Sequence, residues 1–343
     1  MNLAPWNSDL WNGLIERLRR GALPHALLLS GPVGVGKRAL AEHLVAAILC
    51  ERTSQAPCGA CRSCTLLGKR AQRDPVEERP DGTLAHPDGH GGHPDARFIG
   101  YAYNDKTKKM RSELAIDQVR ELSAAFVLPP QLGRASVALI DPADGFNHAS
   151  ANALLKTLEE PGEARYILLV SAEPAALPAT IRSRCQRISF ALPGEAVALQ
   201  WLAERGVKNA SAALAAAAGN PGVALELSRN GGLALRSEVG KDLGHLWNGG
   251  SGLVEMANRW AKSDAPQRLW FAAQLVADEA RYVAEGLAGP LSLTGPVDFN
   301  KLTPWMREAG RTREWLSTPI RAELLILELL SAWRELAPVR RRA

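Results

Sequence analysis

The first half of the chain alternates short apolar runs with stretches in which apolar residues recur at helical spacing. The runs have the length of buried strands, and the stretches between them have the period of amphipathic helices. The predicted strands are 26–30, 137–140 and 167–170, and the predicted helices are 39–49, 116–126 and 151–159. Strands that alternate with helices indicate an α/β fold with a mostly parallel sheet.

Beyond Phe190 the strand pattern gives way to helices alone. Residues 194–230 predict short alanine-rich helices, broken at glycines and at Asn220-Pro221-Gly222. Longer amphipathic stretches follow at 268–287 and 321–336. The last of these is apolar on several sides, which favours burial in a helical bundle or against a partner subunit. The sequence therefore predicts an α/β domain followed by all-α segments.

Composition narrows the class of protein without deciding its function. A chain of 343 residues suggests two or three domains, and 46% hydrophobic with 22% charged residues is globular composition. The chain has no apolar run near the ~18 residues that span a bilayer, and its first residues lack a secretory pattern. We therefore expect a cytoplasmic protein with no membrane association. A net charge of 41 − 36 = +5 permits contact with DNA but does not argue for it.

A glycine-rich motif follows the first predicted strand and opens the first predicted helix. Gly31, Gly34 and Gly36 precede Lys37, which is the pattern of a P-loop that cradles phosphates with backbone N–H groups. Lys37 would reach the β- and γ-phosphates. The next residue should carry a hydroxyl that binds Mg²⁺, but it is Arg38. The alternative interpretation is a strand–helix turn that is merely rich in glycine.

The second metal-binding element of such an ATPase is an apolar strand that ends in Asp-Glu. Here the strand ends in Asp141-Pro142, so the carboxylate for Mg²⁺ is kept and the catalytic base is replaced by proline. Asp144 lies three residues beyond Asp141, with the wrong reach to substitute for the base. Because hydrolysis needs metal, base and positive charge together, the loop is predicted to hold ATP at most, without turnover.

Four of the five cysteines are clustered, in a pattern that suits a metal ion rather than disulfides in a cytosolic chain. The cluster is Cys50, Cys58, Cys61 and Cys64. Four thiolates complete a tetrahedral Zn²⁺ site with no position left for substrate, which predicts structural zinc. Four unrelated buried thiols and a redox role are the alternatives.

The segment 74–95 is rich in Pro, Gly, Asp and His and has no periodicity. That composition predicts a mobile surface loop. Its His86, His90 and His93 are weaker metal candidates, because such a loop lacks a rigid scaffold.

An arginine follows the last predicted strand in the motif Ser183-Arg184-Cys185. On composition alone Arg184 is better explained as a solvated surface residue. In ring-shaped ATPases, however, an arginine in such a place enters the neighbour's site and stabilises the charge that develops on the γ-phosphate.

Taken in order, these motifs resemble those of the bacterial clamp-loader AAA+ family. The order is the P-loop, the four cysteines, Asp141–Asp144, the helix that runs from Asn152 to Pro161, and Ser183-Arg184-Cys185. The specific motifs cover about 1–230, and the remainder matches only in being helical. The resemblance implies a subunit of a five-membered ring that opens a sliding clamp and places it on primed DNA.

The resemblance also implies a division of the chain into three domains. Residues 1–192 would form the AAA+ domain, with a zinc-binding insert at about 50–64. Residues 193–231 would form a small helical lid, and 232–343 a helical collar that holds the ring together.

For individual residues, the resemblance implies that Arg184 is a trans-acting arginine finger for an adjacent motor subunit. It implies that the four clustered cysteines bind zinc. Motor subunits carry a nucleotide-sensing arginine where this chain has Gly222, a third loss consistent with a subunit that does not hydrolyse ATP. Lys37 is kept, so binding of ATP without hydrolysis stays open.

Three hypotheses follow, in order of preference. The first is a ring subunit that does not hydrolyse ATP, and the second is an active motor ATPase of the same family, against which Arg38, Pro142 and Gly222 argue. The third is a stand-alone, zinc-containing DNA-binding protein, for which the basic residues are Lys106, Lys108, Lys109, Arg111 and Arg340 to Arg342. Such runs are usually solvated, and no aromatic residues interleave them for base stacking.

Overall fold

A computed structural model describes residues 3–71, 90–104, 106, 109–132, 134–291, 293, 298–316 and 318–338. The chain divides into two compact units, Met1–Val197 and Ala198–Ala343. The helices of the first unit are α1 (Ser8–Arg19), α2 (Lys37–Leu49), α3 (Arg62–Gly68), α4 (Ile116–Val127), α5 (His148–Glu159), α6 (Ala179–Arg182) and the start of α7 (Glu195–Glu204). Its strands are β1 (Ala26–Ser30), β2 (Arg70–Ala71), β3 (His90–Gly91), β4 (Ala96–Ile99), β5 (Tyr103–Asn104), β6 (Lys109–Met110), β7 (Ser136–Ile140), β8 (Arg165–Ser171) and β9 (Gln186–Ser189).

Five of these strands form one parallel sheet in the order β4-β7-β8-β1-β9. β1 pairs with β8 on one side and with β9 on the other, so the residues that follow β1 leave an interior strand of the sheet. In parallel sheets, ligands bind beyond the carboxyl ends of the strands, where the strand order reverses. The loop after β1 is therefore the expected place for a ligand.

Both faces of the sheet are covered by helices, because alternate residues of each strand point to opposite sides. In β1, Leu27 and Leu29 pack with residues of α1 and α2 in one core. Ala26 and Leu28 pack with residues of α4, α5 and α6 in the other. All five residues of β1 are buried, which explains why the strand appears in the sequence as a continuous apolar run.

The second unit is helical among its described residues. Its helices after α7 are α8 (Ala210–Ala216), α9 (Pro221–Arg229), α10 (Gly232–Trp247), α11 (Leu253–Lys262), α12 (Ala265–Ala284), α13 (Phe299–Trp315) and α14 (Ala322–Leu336). One hydrophobic core joins them all. Within it the ring of Trp333 contacts those of Trp247 and Trp305 in tilted pairs, with centroid distances of 5.1 and 4.9 Å. Among the described helices, none is long and apolar enough to cross a bilayer.

The predicted parallel α/β sheet and the helices that follow it are confirmed, and two strands of the five-stranded sheet were not predicted. These strands, β4 and β9, lie at the two edges of the sheet. The predicted mobile loop at 74–95 is wrong at its end, because His93 and Asp95 are buried. Asp95 accepts hydrogen bonds from the backbone of Gln131 and Leu132, and these bonds anchor it. Residues 74–89 of that loop, including His86, lie outside the described residues.

Candidate functional site

The loop between β1 and α2 has positive φ angles at three positions, and each of these positions is a glycine. Gly31 has a φ of 151°, and a Cβ at this position would overlap the carbonyl oxygen of Phe190. Gly36 caps α2 with a φ of 89°, and a Cβ here would lie 2.9 Å from Nδ2 of Asn7. Gly34 also has a positive φ, of 80°. The loop thus brings its N–H groups to the amino end of α2, where the helix dipole favours an anion.

The segment before α1 holds this loop from outside. Trp6 Nε1 donates to the carbonyl oxygen of Val35 at 3.0 Å, and Asn7 Nδ2 donates to the same oxygen at 2.8 Å. Asn7 is buried. Two side chains that precede the loop by almost thirty residues therefore fix the peptide next to Gly36.

Lys37 is the first residue of α2, and its side chain folds back over the loop. Its Nζ donates to the carbonyl oxygens of Gly31 and Pro32, both at 2.6 Å. Burial lowers the pKa of Lys37, and the nearby carboxylates of Asp141 and Asp144 act in the opposite direction. The ammonium group is thus placed at the phosphate loop, with neutral carbonyl oxygens as its hydrogen-bond partners.

Arg38 lies beside Lys37 but makes ion pairs. Its Nε donates to Glu42 Oε1 at 3.0 Å, one helical turn on, and its Nη1 donates to Asp141 Oδ2 at 3.1 Å. Burial lowers the pKa of Arg38, but Asp141 and Glu42 outweigh burial and raise the pKa overall. Arg38 thus supplies a positive charge to the carboxylate that the sequence predicts as a Mg²⁺ ligand.

The residues after Asp141 leave no catalytic base next to it. Pro142 has no group that accepts a proton. The carboxylate of Asp144 accepts hydrogen bonds from the Ser171 hydroxyl and from the backbone N–H groups of Ala172, at 2.7 Å, and Glu173, at 3.3 Å. Asp144 therefore holds the end of β8 in place, in agreement with the interpretation that it does not substitute for the base.

A cavity of about 500 Å³ opens at this loop. Its size falls in the range of small-molecule sites, about 300–1,000 Å³. The lining residues come from the loop, from the end of β7 and from the end of β8. They are Val33, Gly34, Gly36, Lys37, Arg38, Ala39, Asp141, Pro142, Asp144, Val170 and Ala172.

Arg184 lies just after α6, and its side chain is about one-third exposed. Its Nε donates to Glu159 Oε1 at 2.8 Å, and its Nη1 donates to the carbonyl oxygen of Thr180 at 3.0 Å. Neither Glu159 nor Thr180 lines the cavity at the phosphate loop. The adjacent Cys185 is buried, so it anchors the backbone while the guanidinium reaches solvent.

The four clustered cysteines bring their sulfur atoms together. All four Sγ atoms lie within 4.8 Å of one another, and those of Cys50 and Cys61 are 4.0 Å apart. Tetrahedral zinc with Zn–S bonds of about 2.3 Å separates its sulfur ligands by about 3.8 Å. The thiols therefore fit a closed, four-sulfur metal site.

Backbone N–H groups prepare one of these sulfurs, that of Cys58, for the charged form. The N–H groups of Ala60 and Cys61 lower the pKa of Cys58 to about 6, so this residue is largely a thiolate at neutral pH. Burial raises the pKa of Cys64 to about 12, so this thiol loses its proton only when a cation binds. Glu51 accepts hydrogen bonds from the N–H and hydroxyl of Ser63 and so closes the cysteine loop.

Comparisons with known proteins agree with these features. A family model described as "DNA polymerase III, delta subunit" matches residues 6–193. The DNA polymerase III subunit delta' of Pseudomonas aeruginosa is 34% identical over 276 residues, which covers 79% of this chain and 75% of the relative. The protein of the same name from Escherichia coli is 31% identical over 346 residues, which covers 96% of this chain and 95% of the relative. The chain belongs to the DNA polymerase III delta' family.

Membership of the delta' family also bears on the motor alternative. The DNA polymerase III subunit tau of Escherichia coli is 33% identical over 173 residues, which is 50% of this chain and 22% of tau. Similarity to tau thus stops at about half of the chain, whereas similarity to the Escherichia coli delta' subunit extends over nearly all of it. The motor alternative is therefore not favoured, and the AAA+ fold expected from the clamp-loader resemblance is confirmed.

The structure brings the predicted site residues into two separate groups within the first unit. The loop residues and Asp141 form one group, and the four cysteines form the other. Arg184 belongs to neither, and Gly222 lies in the first turn of α9 in the second unit. Of the basic residues in the DNA-binding alternative, Lys108 and Arg340 to Arg342 lie outside the described residues.

Three side chains that shape the loop were not predicted from the sequence. Glu42 is the ion-pair partner of Arg38, and the spacing of four residues on one helix could have revealed it. Trp6 and Asn7 left no such signal, because their hydrogen bonds to Val35 connect segments far apart in the chain.

Proposed function

We propose that this chain is the delta' subunit of a DNA polymerase III clamp loader, an AAA+ ring member that hydrolyses no ATP itself. Its chemical contribution is Arg184, which enters the ATP site of the adjacent motor subunit and stabilises the transferring phosphate. The ring as a whole opens the sliding clamp and loads it on primed DNA during replication.

One observation carries this proposal. In a chain of the delta' family, the loop cation Arg38 is bonded to Asp141, and a proline follows that carboxylate where a catalytic base would be needed. Arg184, by contrast, is partly exposed and lies apart from this loop, held by Glu159. The pocket at the loop lacks a catalytic base, and Arg184 lies outside that pocket. Together these features support a subunit that donates an arginine to its neighbour rather than one that hydrolyses ATP itself.

The partners follow from the same proposal. They are the motor subunits gamma or tau and the delta subunit in a five-membered ring, together with the sliding clamp and, through the complex, primed DNA. We assign 193–231 as the lid and 232–343 as the collar that packs in the ring. Such an assembly operates in the cytoplasm.

Two ligands belong to the proposal. The cysteine cluster would hold structural zinc, which would join the segment before α3 to the end of α2. The loop from Gly31 to Arg38 would bind ATP without hydrolysing it, because Lys37 and the helix end are present but the base is not.

The test is reconstitution of the clamp loader with Arg184→Ala. We expect the ring to assemble as with the unchanged chain. ATP turnover at the site completed by this subunit should fall by about a thousandfold, the scale of a lost arginine finger. Gel filtration would report assembly, and DNA-stimulated ATP hydrolysis with clamp loading would report function.

Arg182→Ala is the matched control, since Arg182 is an exposed arginine at the end of α6. It should change neither assembly nor turnover. Unchanged turnover with Arg184→Ala would refute the donor role, and ATP hydrolysis by the purified chain alone would restore the motor alternative.

A further inference from the structure

The charges around the phosphate loop are paired in an unusual way. An ordinary P-loop binds a nucleotide polyphosphate together with Mg²⁺, which the strand carboxylate and a hydroxyl next to the lysine hold. In this chain the residue next to Lys37 is Arg38, whose guanidinium donates to Asp141 at 3.1 Å and to Glu42 at 3.0 Å. The carboxylate that would bind Mg²⁺ already has a cation, and that cation is part of the protein.

The remaining charges leave Lys37 available for a phosphate. Asp144 is engaged by the Ser171 hydroxyl and by two backbone N–H groups. Lys37 is buried and donates to two neutral carbonyl oxygens, those of Gly31 and Pro32, rather than to a carboxylate. Exchange of these carbonyls for a phosphate oxygen would give the ammonium an oppositely charged partner, so that coulombic attraction is added to the hydrogen bond.

We infer that this loop binds the polyphosphate of a nucleotide without a divalent cation, because Arg38 compensates the charge of Asp141 where Mg²⁺ would otherwise do so. A guanidinium fixed on Asp141 would repel Mg²⁺ and hold the carboxylate that Mg²⁺ requires. The inference rests on the nucleotide-binding part of the proposed function. It is independent of the role of Arg184.

The site is built to keep Arg38 in this place. Glu42 is one helical turn from Arg38 on the same face of α2, and Asp141 directly follows β7, an interior strand of the sheet. The two carboxylates approach the guanidinium through different nitrogen atoms, Nε and Nη1. Because the guanidinium of Arg38 is held from two sides by these carboxylates, its orientation is fixed.

The test uses the full-length chain and ATP as the probe, titrated by calorimetry in excess EDTA and again in excess Mg²⁺. We expect the two dissociation constants to agree within about twofold. An affinity at least about tenfold higher in Mg²⁺ would overturn the inference. So would the absence of binding in both conditions, although the Arg184 experiment would still decide the role in the ring.

Arg38→Ser gives the complementary measurement, since it removes the guanidinium and returns a hydroxyl that binds Mg²⁺. ATP affinity in EDTA should fall by about tenfold, the loss of a charge-assisted contact, and Mg²⁺ should restore it. Binding that stays independent of Mg²⁺ in this variant would show that Arg38 does not replace the metal.

Arg20→Ser is the matched control. Arg20 forms the same type of pair four residues from a glutamate, with Glu16, but it is exposed and lies just after the end of α1. The same substitution at this position should leave ATP binding unchanged in both conditions. A tenfold change in the control would mean that loss of any such pair weakens binding, which would refute a specific role for Arg38.

Discussion

At the loop between β1 and α2, two neighbouring cations have different environments. Lys37 bonds to neutral carbonyl oxygens, whereas Arg38 bonds to the carboxylates of Glu42 and Asp141. The sequence alone predicts that Arg38 cannot bind Mg²⁺, because the side chain has no oxygen. It does not predict that Arg38 neutralises Asp141, because that contact joins residues more than one hundred positions apart.

A residue outside the motif contributes to the shape of the loop. Asn7 is buried, and its Nδ2 donates to the carbonyl oxygen of Val35. We expect Asn7→Ala to lower the free energy of unfolding of the N-terminal unit by about 1–2 kcal/mol, because a buried hydrogen bond is lost. Urea unfolding measures this change.

The matched control for this residue is Asn248→Ala. Asn248 also donates its Nδ2 to a backbone carbonyl, that of Gly244, but it is exposed at the end of α10. Loss of this hydrogen bond in Asn248→Ala should lower the free energy of unfolding by less than about 0.5 kcal/mol, as for most surface substitutions. If both substitutions lowered the free energy of unfolding equally, the buried hydrogen bond of Asn7 would stabilise the protein no more than an exposed one.

At the scale of elements, burial decides what the sequence reveals. β1, β7 and β8 lie inside the sheet and are almost wholly buried, so they appear as continuous apolar runs. The edge strands β4 and β9 carry arginine and other polar residues among the apolar ones. Without an unbroken apolar run or clear alternation, such short strands have no pattern to detect.

The cysteine cluster is an element whose stability we expect to depend on metal. We predict that Cys61→Ser releases about one zinc ion per chain, because the site loses one of its four ligands. The N-terminal unit should lose about 2 kcal/mol or more, since binding of structural zinc contributes folding free energy. For a unit of this size the melting temperature would fall by about 4–8 °C.

Cys185→Ser is the control for this prediction, because Cys185 is also a buried cysteine but lies outside the cluster. It should keep the full zinc content, whatever its own effect on packing. Zinc content is measured by elemental analysis and melting by calorimetry. A Cys61→Ser chain that keeps its zinc and its melting temperature would exclude a zinc site at these cysteines.

At the scale of the molecule, the two units have separate hydrophobic cores. The cores of the first unit contain residues between Leu14 and Phe190, and the core of the second contains residues between Ala198 and Trp333. The sequence predicts a lid at 193–231 and a collar at 232–343, but composition alone cannot tell which helices share a core. In the structure, both regions contribute to the same core.

This shared core predicts where the chain can be divided. A chain of residues 1–193 keeps all the cores of the first unit and should fold with one cooperative transition. A chain of residues 1–231 would keep α7, α8 and α9 but lose the helices that cover them. Its buried leucines are Leu202, Leu214 and Leu227, and their exposure would cost up to about 5–9 kcal/mol in total.

We therefore expect the 1–231 chain to bind the dye ANS and to aggregate, while 1–193 and 194–343 stay monodisperse. Dye fluorescence and light scattering on the three chains make the comparison. The 194–343 chain is the decisive control, because it contains the same three helices with their partners present. If 1–231 were monodisperse and bound no dye, the lid would be an independent folding unit, and the boundary near residue 231 would be structural as well as functional.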